Sequence, residues 1–462
     1  MSKVLLVNTN LSGVYDKAKV KAVIPLLPSL ALATLASGLI KNNHEVKVLD
    51  LNFFKDINAS LLQDLESFQP DFVGITSTTA TINQAMMLSD TVKNFNKEII
   101  TISGGAHTTY EPVGVLEKSK VDIAIIGEGD SSLIKIVNGK KLNGVNGIAF
   151  KNKQGLVKVN SACKPIKLDE LPFPAWELFD IKKYKLPRLL SRKNPAGPIE
   201  TSRGCVFGCS YCTKVFGRSF RAKSPERVVR EFEYMQDCGF NEIHILDDGF
   251  STDLNRAKEI CRLIKARKFD IVWNLRNGIR ANRLDHELAN LLKEAGCYRV
   301  SIGVESGNQD VLNGIDKGES LEEIERAFKI LKEAGLETMG FFMFGLPHDT
   351  RETMQQTIEF AKKLEPDFVK ASICTPFPGT RLFTDLKVLG LIKTKDWPNY
   401  VTHNPRDVYT HPTLDWDTIY EYYNRFYKEF YLRPSYMLRT AIRGFKTGGI
   451  IDELSAFIKT KW

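Results

Sequence analysis

Three of the eight cysteines stand close together in Cys205-Val-Phe-Gly-Cys209-Ser-Tyr-Cys212. Thiolates at spacings of four and three can close around one soft metal site, and the glycines at 204 and 208 let the backbone wrap it. Three ligands are one short of a closed structural zinc site. A cubane held by three cysteines would instead keep its fourth iron open for a substrate or cofactor. A zinc knuckle completed by a remote residue is the plainer alternative. Eight cysteines in 462 residues is far below a disulfide scaffold, and their clustering points to metal in a reducing, cytoplasmic compartment. Cys163, Cys238, Cys261, Cys297 and Cys374 fall in strand or helix patterns and read as small buried hydrophobes.

The elements that must position this loop are legible as alternation. Apolar runs at 4–8, 46–51, 72–77, 99–104 and 121–127 are separated by helix-length amphipathic stretches, the pattern of a parallel sheet covered on both faces. Residues 1–138 therefore form an α/β, doubly wound, Rossmann-like domain. Polar and glycine residues gather where its strands end: Asn10; Ser77, Thr78 and Thr81; Gly104, Gly105 and His107; Gly127, Glu128 and Gly129. Open parallel sheets bind ligands at that edge, where backbone amides and helix N-termini point. Residues 139–193 read as a linker with a hairpin at 147–159. Further runs at 199–202, 242–246, 271–275, 299–303, 338–344 and 368–374, each followed by a helical stretch, predict a partial (β/α)6 TIM-type barrel over 194–400. The cysteine loop follows the first of these. Residues 401–462 read as helical, with an aromatic stripe from Tyr420 to Tyr431 that suits core packing or, less simply, a substrate or membrane surface.

Composition excludes several classes. At 43% hydrophobic and 26% charged residues, with no repetitive or proline-rich tract, the chain is neither disordered nor fibrous. The net charge of +9 is spread along the chain, so nucleic acid is not indicated. The start, MSKVLLVNTN, reads as a buried strand rather than a secretory signal. The apolar stretch 23–40 is interrupted by Pro25 and Pro28, and Ser29 can cap a globular helix over 30–41.

The cysteine loop, with Tyr211 before its last cysteine, resembles that of the radical S-adenosylmethionine (SAM) enzymes. The resemblance implies a 4Fe-4S cluster on Cys205, Cys209 and Cys212, the methionine part of SAM on the open iron, and reductive cleavage to a 5'-deoxyadenosyl radical. ILDDGFS, with Asp247 and Asp248, resembles the second-strand cofactor contact. SIGVESG, with Ser301 and Glu305, resembles the fourth-strand contact, and GFFMFGLP, with Gly345, the fifth-strand glycine motif; TPFPGT at 375–380 resembles the segment near the adenine. His348 departs from the glycine common after Leu-Pro, which would reshape that loop. Each residue has a plainer reading: Asp247 and Asp248 as helix caps, Glu305 as an ion-pair partner, the glycines as packing.

The N-terminal domain resembles the cobalamin-binding domain of one radical SAM subgroup, which makes the polar and glycine residues at its strand ends the expected cobalamin contacts. The Asp-x-His-x-x-Gly motif is absent, so the resemblance implies a cobalt without that histidine ligand and His107 as a nearby loop residue. The relatives that add methylthio groups to transfer RNA carry three more cysteines in this domain; here none precedes Cys163. The implied function is methylation of an unactivated carbon of a small-molecule or lipid-like substrate. Its alternative is radical cyclisation, oxidation or carbon-carbon coupling on a tetrapyrrole, isoprenoid or lipid. An electron donor such as flavodoxin or ferredoxin, oxygen sensitivity, and peripheral membrane contact through the C-terminal region are implied as well. A non-catalytic metal or redox sensor is the reading of another class.

Overall fold

The apolar runs fold into two parallel sheets, in a computed structural model that describes residues 1–15, 26–152 and 154–447. Pro25, invoked above, lies outside the described residues. The first sheet holds β1 (Lys3–Asn8), β2 (Glu45–Asp50), β3 (Phe72–Thr76), β4 (Ile100–Gly104) and β5 (Ile123–Ile125), parallel in the order β2-β1-β3-β4-β5. Val4, Leu5, Leu6 and Val7 are all buried, because helices cover both faces. The helix Leu30–Lys41 begins where expected, its Leu32 amide donating to the Ser29 hydroxyl at 3.4 Å. In this strand order the winding of successive strands reverses between β1 and β3, which opens a crevice at their carboxyl ends.

The hairpin is not part of the linker. Its strands β6 (Ile148–Lys151) and β7 (Val157–Val159) extend the first sheet antiparallel from β5. β5 is short and would otherwise leave a bare edge, and β6 brings the fully buried Ile148 and Ala149 to cover it. The segment that follows is a strap held on both sides. Ala175 N donates to Ala33 O at 2.9 Å and the Tyr184 hydroxyl to Asp50 at 2.7 Å in the first domain. On the barrel side, Pro174 O accepts from the Tyr234 hydroxyl at 2.8 Å and the buried Trp176 ring meets Phe240 edge-on.

The second sheet holds β8 (Ala196–Ile199), then, after the small antiparallel ladder of β9 (Ser202–Arg203) with β10 (Arg221–Ala222), β11 (Glu242–Ile245), β12 (Val272–Ile279), β13 (Cys297–Glu305), β14 (Glu337–Phe344) and β15 (Phe368–Ile373). All six long strands are parallel and neighbour one another in chain order. The first runs over 196–199, earlier than the 199–202 expected, through Gly197 and Pro198. Pro198 is tolerated because β8 is an edge strand. Gly197 is required because a Cβ there would stand 2.4 Å from the Met235 methyl and 2.7 Å from the Phe240 ring.

β15 is the other edge, and the aromatic stripe closes it. On the helix Trp416–Tyr431, the Tyr427 hydroxyl accepts from Ala371 N at 2.8 Å and donates to Ala371 O at 3.2 Å. Tyr431 does the same at Val369, at 3.1 and 3.0 Å. Phe426 and Phe430 are fully buried against the barrel. The stripe is thus core and strand cap, the first of its two readings; residues 448–462 lie outside the described residues. No helix among the described residues is long and apolar enough to cross a membrane.

Candidate active site

The cysteine loop leaves the barrel at β9 and returns at β10, so a two-residue ladder ties its base. Gly204 turns with φ +85°, and a Cβ there would lie 2.3 Å from Ser219 O. Farther along, Ser210 N donates to Ile315 O and Ser210 O accepts from Leu382 N, both at 3.0 Å, and the Arg280 guanidinium lies 3.7 Å over the Phe207 ring. The loop is therefore clamped from two barrel crossings. Burial, then Cys209 and Cys205, push the Cys212 thiol up to about 12, although the residue keeps an exposed face. Among the described residues no three ligating groups converge on a single ion, as zinc would require. A cubane takes each thiolate on a different iron and needs a spread set. Beside Cys212 and Asp248 sits the Lys214 ammonium, buried and without a hydrogen-bond partner, a cation suited to a thiolate-rich cluster. The donor set fits a 4Fe-4S cluster.

Around this loop the expected SAM contacts separate into two groups. Asp247 accepts from Thr201 N at 2.6 Å, from the Ser202 hydroxyl at 2.7 Å and from the Thr201 hydroxyl, so it fastens the end of β11 to the end of β8. It is no helix cap, and it is engaged rather than presented to a ligand. Burial raises its pKa and these donors oppose the rise. Asp248 instead accepts from Gly204 N at 3.1 Å, at the root of the cysteine loop. Tyr211 hydrogen-bonds Glu305, and burial followed by that carboxylate holds its hydroxyl well above the usual range. Glu305 also pairs with the buried Lys317 at 3.3 Å, so the ion-pair reading applies to it. Ser301 is buried on β13. Gly345 has φ +69°, and a Cβ there would meet Ile419 of the C-terminal helix at 3.2 Å, which makes it a packing glycine. His348 lies on Gly314, whose added Cβ would come within 2.2 Å of the imidazole.

At the open edge of the first sheet the residues again differ in availability. Ser77 has a buried hydroxyl without a partner, and added Cβ atoms at Gly104 and Gly127 would meet nothing within 4 Å. An orphaned hydroxyl beside empty space over two glycine turns fits an amide-rich ligand such as a corrin. Gly105, with φ +102°, lies so close to Ser77 that a Cβ would stand 2.3 Å from its carbonyl. Asn10, Thr78 and Thr81 are tied into the protein. Asn10 donates to Leu51 O at 3.0 Å, and Thr81 accepts from the Thr9 hydroxyl and the Thr78 amide at 3.0 Å each. Gly129 begins the helix Gly129–Val137. His107 is buried between Thr79 and the Trp397 ring, 4.6 Å away, and burial with the nearby Lys395 lowers its pKa to about 4. It is a neutral packed ring.

Glu128 departs most from expectation. It pairs with Arg203 at 2.7 Å and with Arg221, the two arginines flanking the cysteine loop; Arg203 also meets Asp130 at 2.9 Å and Glu200 at 2.6 Å. Tyr110, also from the first domain, accepts from Lys214 N at 3.1 Å. Its ring lies against Gly379, where a Cβ would stand 2.1 Å away. Arg203, Tyr110, Lys214 and Lys317 were missed in the sequence; the position of Arg203 directly before Gly204-Cys205 was the available signal. Arg203, Tyr110 and Lys214 tie the edge of the first sheet to the cysteine loop, and Lys317 holds Glu305 in the barrel.

Two family models match the chain, one for the radical SAM superfamily over residues 199–361 and one for a B12 binding domain over residues 20–137. An uncharacterized methyltransferase of Pyrococcus horikoshii is 34% identical over 423 residues, 89% of each chain. The chain belongs to the radical SAM superfamily. This radical SAM chain is also 32% identical, over 339 residues, to an anaerobic magnesium-protoporphyrin IX monomethyl ester cyclase of Rubrivivax gelatinosus, covering 70% of this chain and 60% of that one. Among solved structures, the radical SAM methyltransferase TsrM from Kitasatospora setae, with cobalamin and a 4Fe-4S cluster bound, shares the fold. The TM-score is 0.73 at 20% identity, over 94% of this chain and 90% of that one. The radical SAM chain is an enzyme, which sets aside the sensor reading, and its cofactors are a 4Fe-4S cluster, SAM and cobalamin.

Proposed function

We propose that this radical SAM enzyme methylates an unactivated carbon of a small-molecule or lipid-like substrate held between the first-sheet edge and the barrel mouth. The observation that carries this reading is the seam made by Tyr110, Glu128 and Arg203, which sets the B12-binding edge against the cysteine loop. When bound, the cluster with SAM supplies radical chemistry and cobalamin supplies methyl-transfer chemistry. Cys205, Cys209 and Cys212 would hold the cluster, and Lys214 would offset its charge. Asp248, Ser301, Tyr211 and Glu305 would hold SAM, with Asp247 and Gly345 positioning the backbone. Ser77, Gly104 and Gly127 would take the corrin. Tyr110 fills the seam between Lys214 and Gly379. The resemblance to a P. horikoshii methyltransferase supports methyl transfer; the similarity to the cyclase supports a second reading, radical cyclisation without methyl transfer. An electron donor of flavodoxin or ferredoxin type and a reducing cytoplasm complete the proposal.

The test starts with protein made anaerobically with iron, sulfide and hydroxocobalamin. About four irons and one cobalt per chain are expected. Cys209→Ala should abolish reductive cleavage of SAM. With substrate, S-adenosylhomocysteine should form alongside 5'-deoxyadenosine; 5'-deoxyadenosine alone would replace methylation by the second reading.

A further inference from the structure

One short helix touches both cofactor regions. The helix Ala106–Tyr110 follows directly on Gly104 and Gly105, at the edge proposed for the corrin. Its N-terminal end is locked into the first sheet. Gly105 lies against the Ser77 carbonyl, Ser77 N donates to Gly104 O at 3.2 Å, and the Thr108 and Ser103 hydroxyls meet at 2.8 Å. Thr109 reaches the second open glycine turn: its hydroxyl accepts from Gly127 N at 3.0 Å and donates to Gly105 O at 2.9 Å. A ligand settling over Gly104 and Gly127 therefore bears on this helix from two sides.

The other end of the helix leaves the first domain. The Tyr110 hydroxyl accepts from Lys214 N at 3.1 Å, two residues past Cys212. Lys214 in turn opens a loop turn, in which Lys214 O accepts from Gly217 N at 2.9 Å and Gly217 O from Cys205 N at 3.3 Å. A short relay of hydrogen bonds thus joins Tyr110 to the first cysteine. The Tyr110 ring rests on Gly379, in the segment 375–380 that resembles the adenine-side SAM contact. Its neighbours hold the same side: the His107 ring packs on Trp397 at 4.6 Å and Glu111 pairs with Lys395 at 3.7 Å. At about 1.5 Å per residue the helix spans roughly 7 Å, and a hydrogen-bonded turn that short moves as one body.

We propose that Tyr110 is a positioning residue through which the first domain shapes the SAM pocket, so that cobalamin and SAM each strengthen the other's binding. This rests on the corrin placement over Gly104 and Gly127 given above. A corrin there would fix the N-terminal end of the helix. Tyr110 would then hold the cysteine loop and Gly379 in one arrangement, and SAM would meet a site already ordered. The test is anaerobic calorimetric titration of SAM, without reductant, into cluster-reconstituted protein with and without bound hydroxocobalamin. In wild type, cobalamin should tighten SAM binding about fivefold or more, and by linkage SAM should tighten cobalamin by the same factor. In Tyr110→Ala the coupling should disappear. Should that variant fail to fold, Tyr110→Phe decides, since it keeps the ring on Gly379 but deprives Lys214 N of its acceptor; its coupling should fall about twofold or more. Weaker SAM binding at an unchanged coupling factor would show a merely structural role and overturn the proposal, as would equal SAM affinity in wild type with and without cobalamin. A wild type that takes up no cobalamin overturns the corrin placement as well, and the cobalt content of each sample separates the two failures.

Discussion

Asp247 and Asp248 carry the same side chain one residue apart and have opposite duties. Asp247 receives three donors from the end of β8, so an amide in its place would set N–H against N–H or O–H. Asp247→Asn should cost about 1–3 kcal/mol in urea unfolding of the cofactor-free chain. Asp248→Asn, which disturbs only the Gly204 contact, should cost less and should instead weaken SAM binding. Equal losses would argue against the division. His107 makes a pH prediction. Its pKa is near 6.5 when unfolded and about 4 when packed between Thr79 and Trp397. The folded state therefore disfavours the proton: the stabilisation is complete above pH 6.5 and fades as pH falls towards 4, by roughly 3 kcal/mol. His107→Gln should flatten that part of the stability-pH curve relative to wild type.

The element with the most exacting task is the helix Trp416–Tyr431. Its Tyr427 and Tyr431 hydroxyls serve the free edge of β15 in place of a seventh strand. Tyr427→Phe should cost about 1–2 kcal/mol and speed hydrogen exchange at the Ala371 amide. Unchanged exchange there would show that the ring, not the hydroxyl, covers the edge. The period of this stripe was visible in the sequence, and so were its aromatics, but hydroxyls hydrogen-bonding a strand some sixty residues away leave no local pattern. Strand runs and the Ser29 cap were legible because periodicity and capping are local. The placement of β8 was not, since Gly197 and Pro198 look like breakers until Met235, Phe240 and the edge position are known.

At the scale of the whole molecule, the cysteine spacing pointed to a soft metal site and its resemblance to a known loop pointed to the cluster, whereas the seam was invisible: Glu128 and Arg203 belong to different domains and only the fold brings them together. Arg203 is buried among Glu128, Asp130 and Glu200, and burial raises the Glu200 carboxyl to about 7 against the pull of the guanidinium. Removing the cation leaves carboxylates facing one another. Arg203→Met should cost about 3–5 kcal/mol and loosen the cysteine loop, read as lowered iron retention. Glu128→Gln should be milder, since Asp130 and Glu200 still hold Arg203. Comparable losses would mean that Glu128 carries the seam alone.

The strap from Pro174 to Tyr184 bears on how the enzyme admits its substrate. Because it is hydrogen-bonded to the first domain and packed against the barrel by buried rings, it cannot serve as a hinge. The span between the two cofactor-bearing faces then behaves as a fixed gauge. Molecules would be selected by whether they bridge that span, and entry would depend on small loop displacements at its rim.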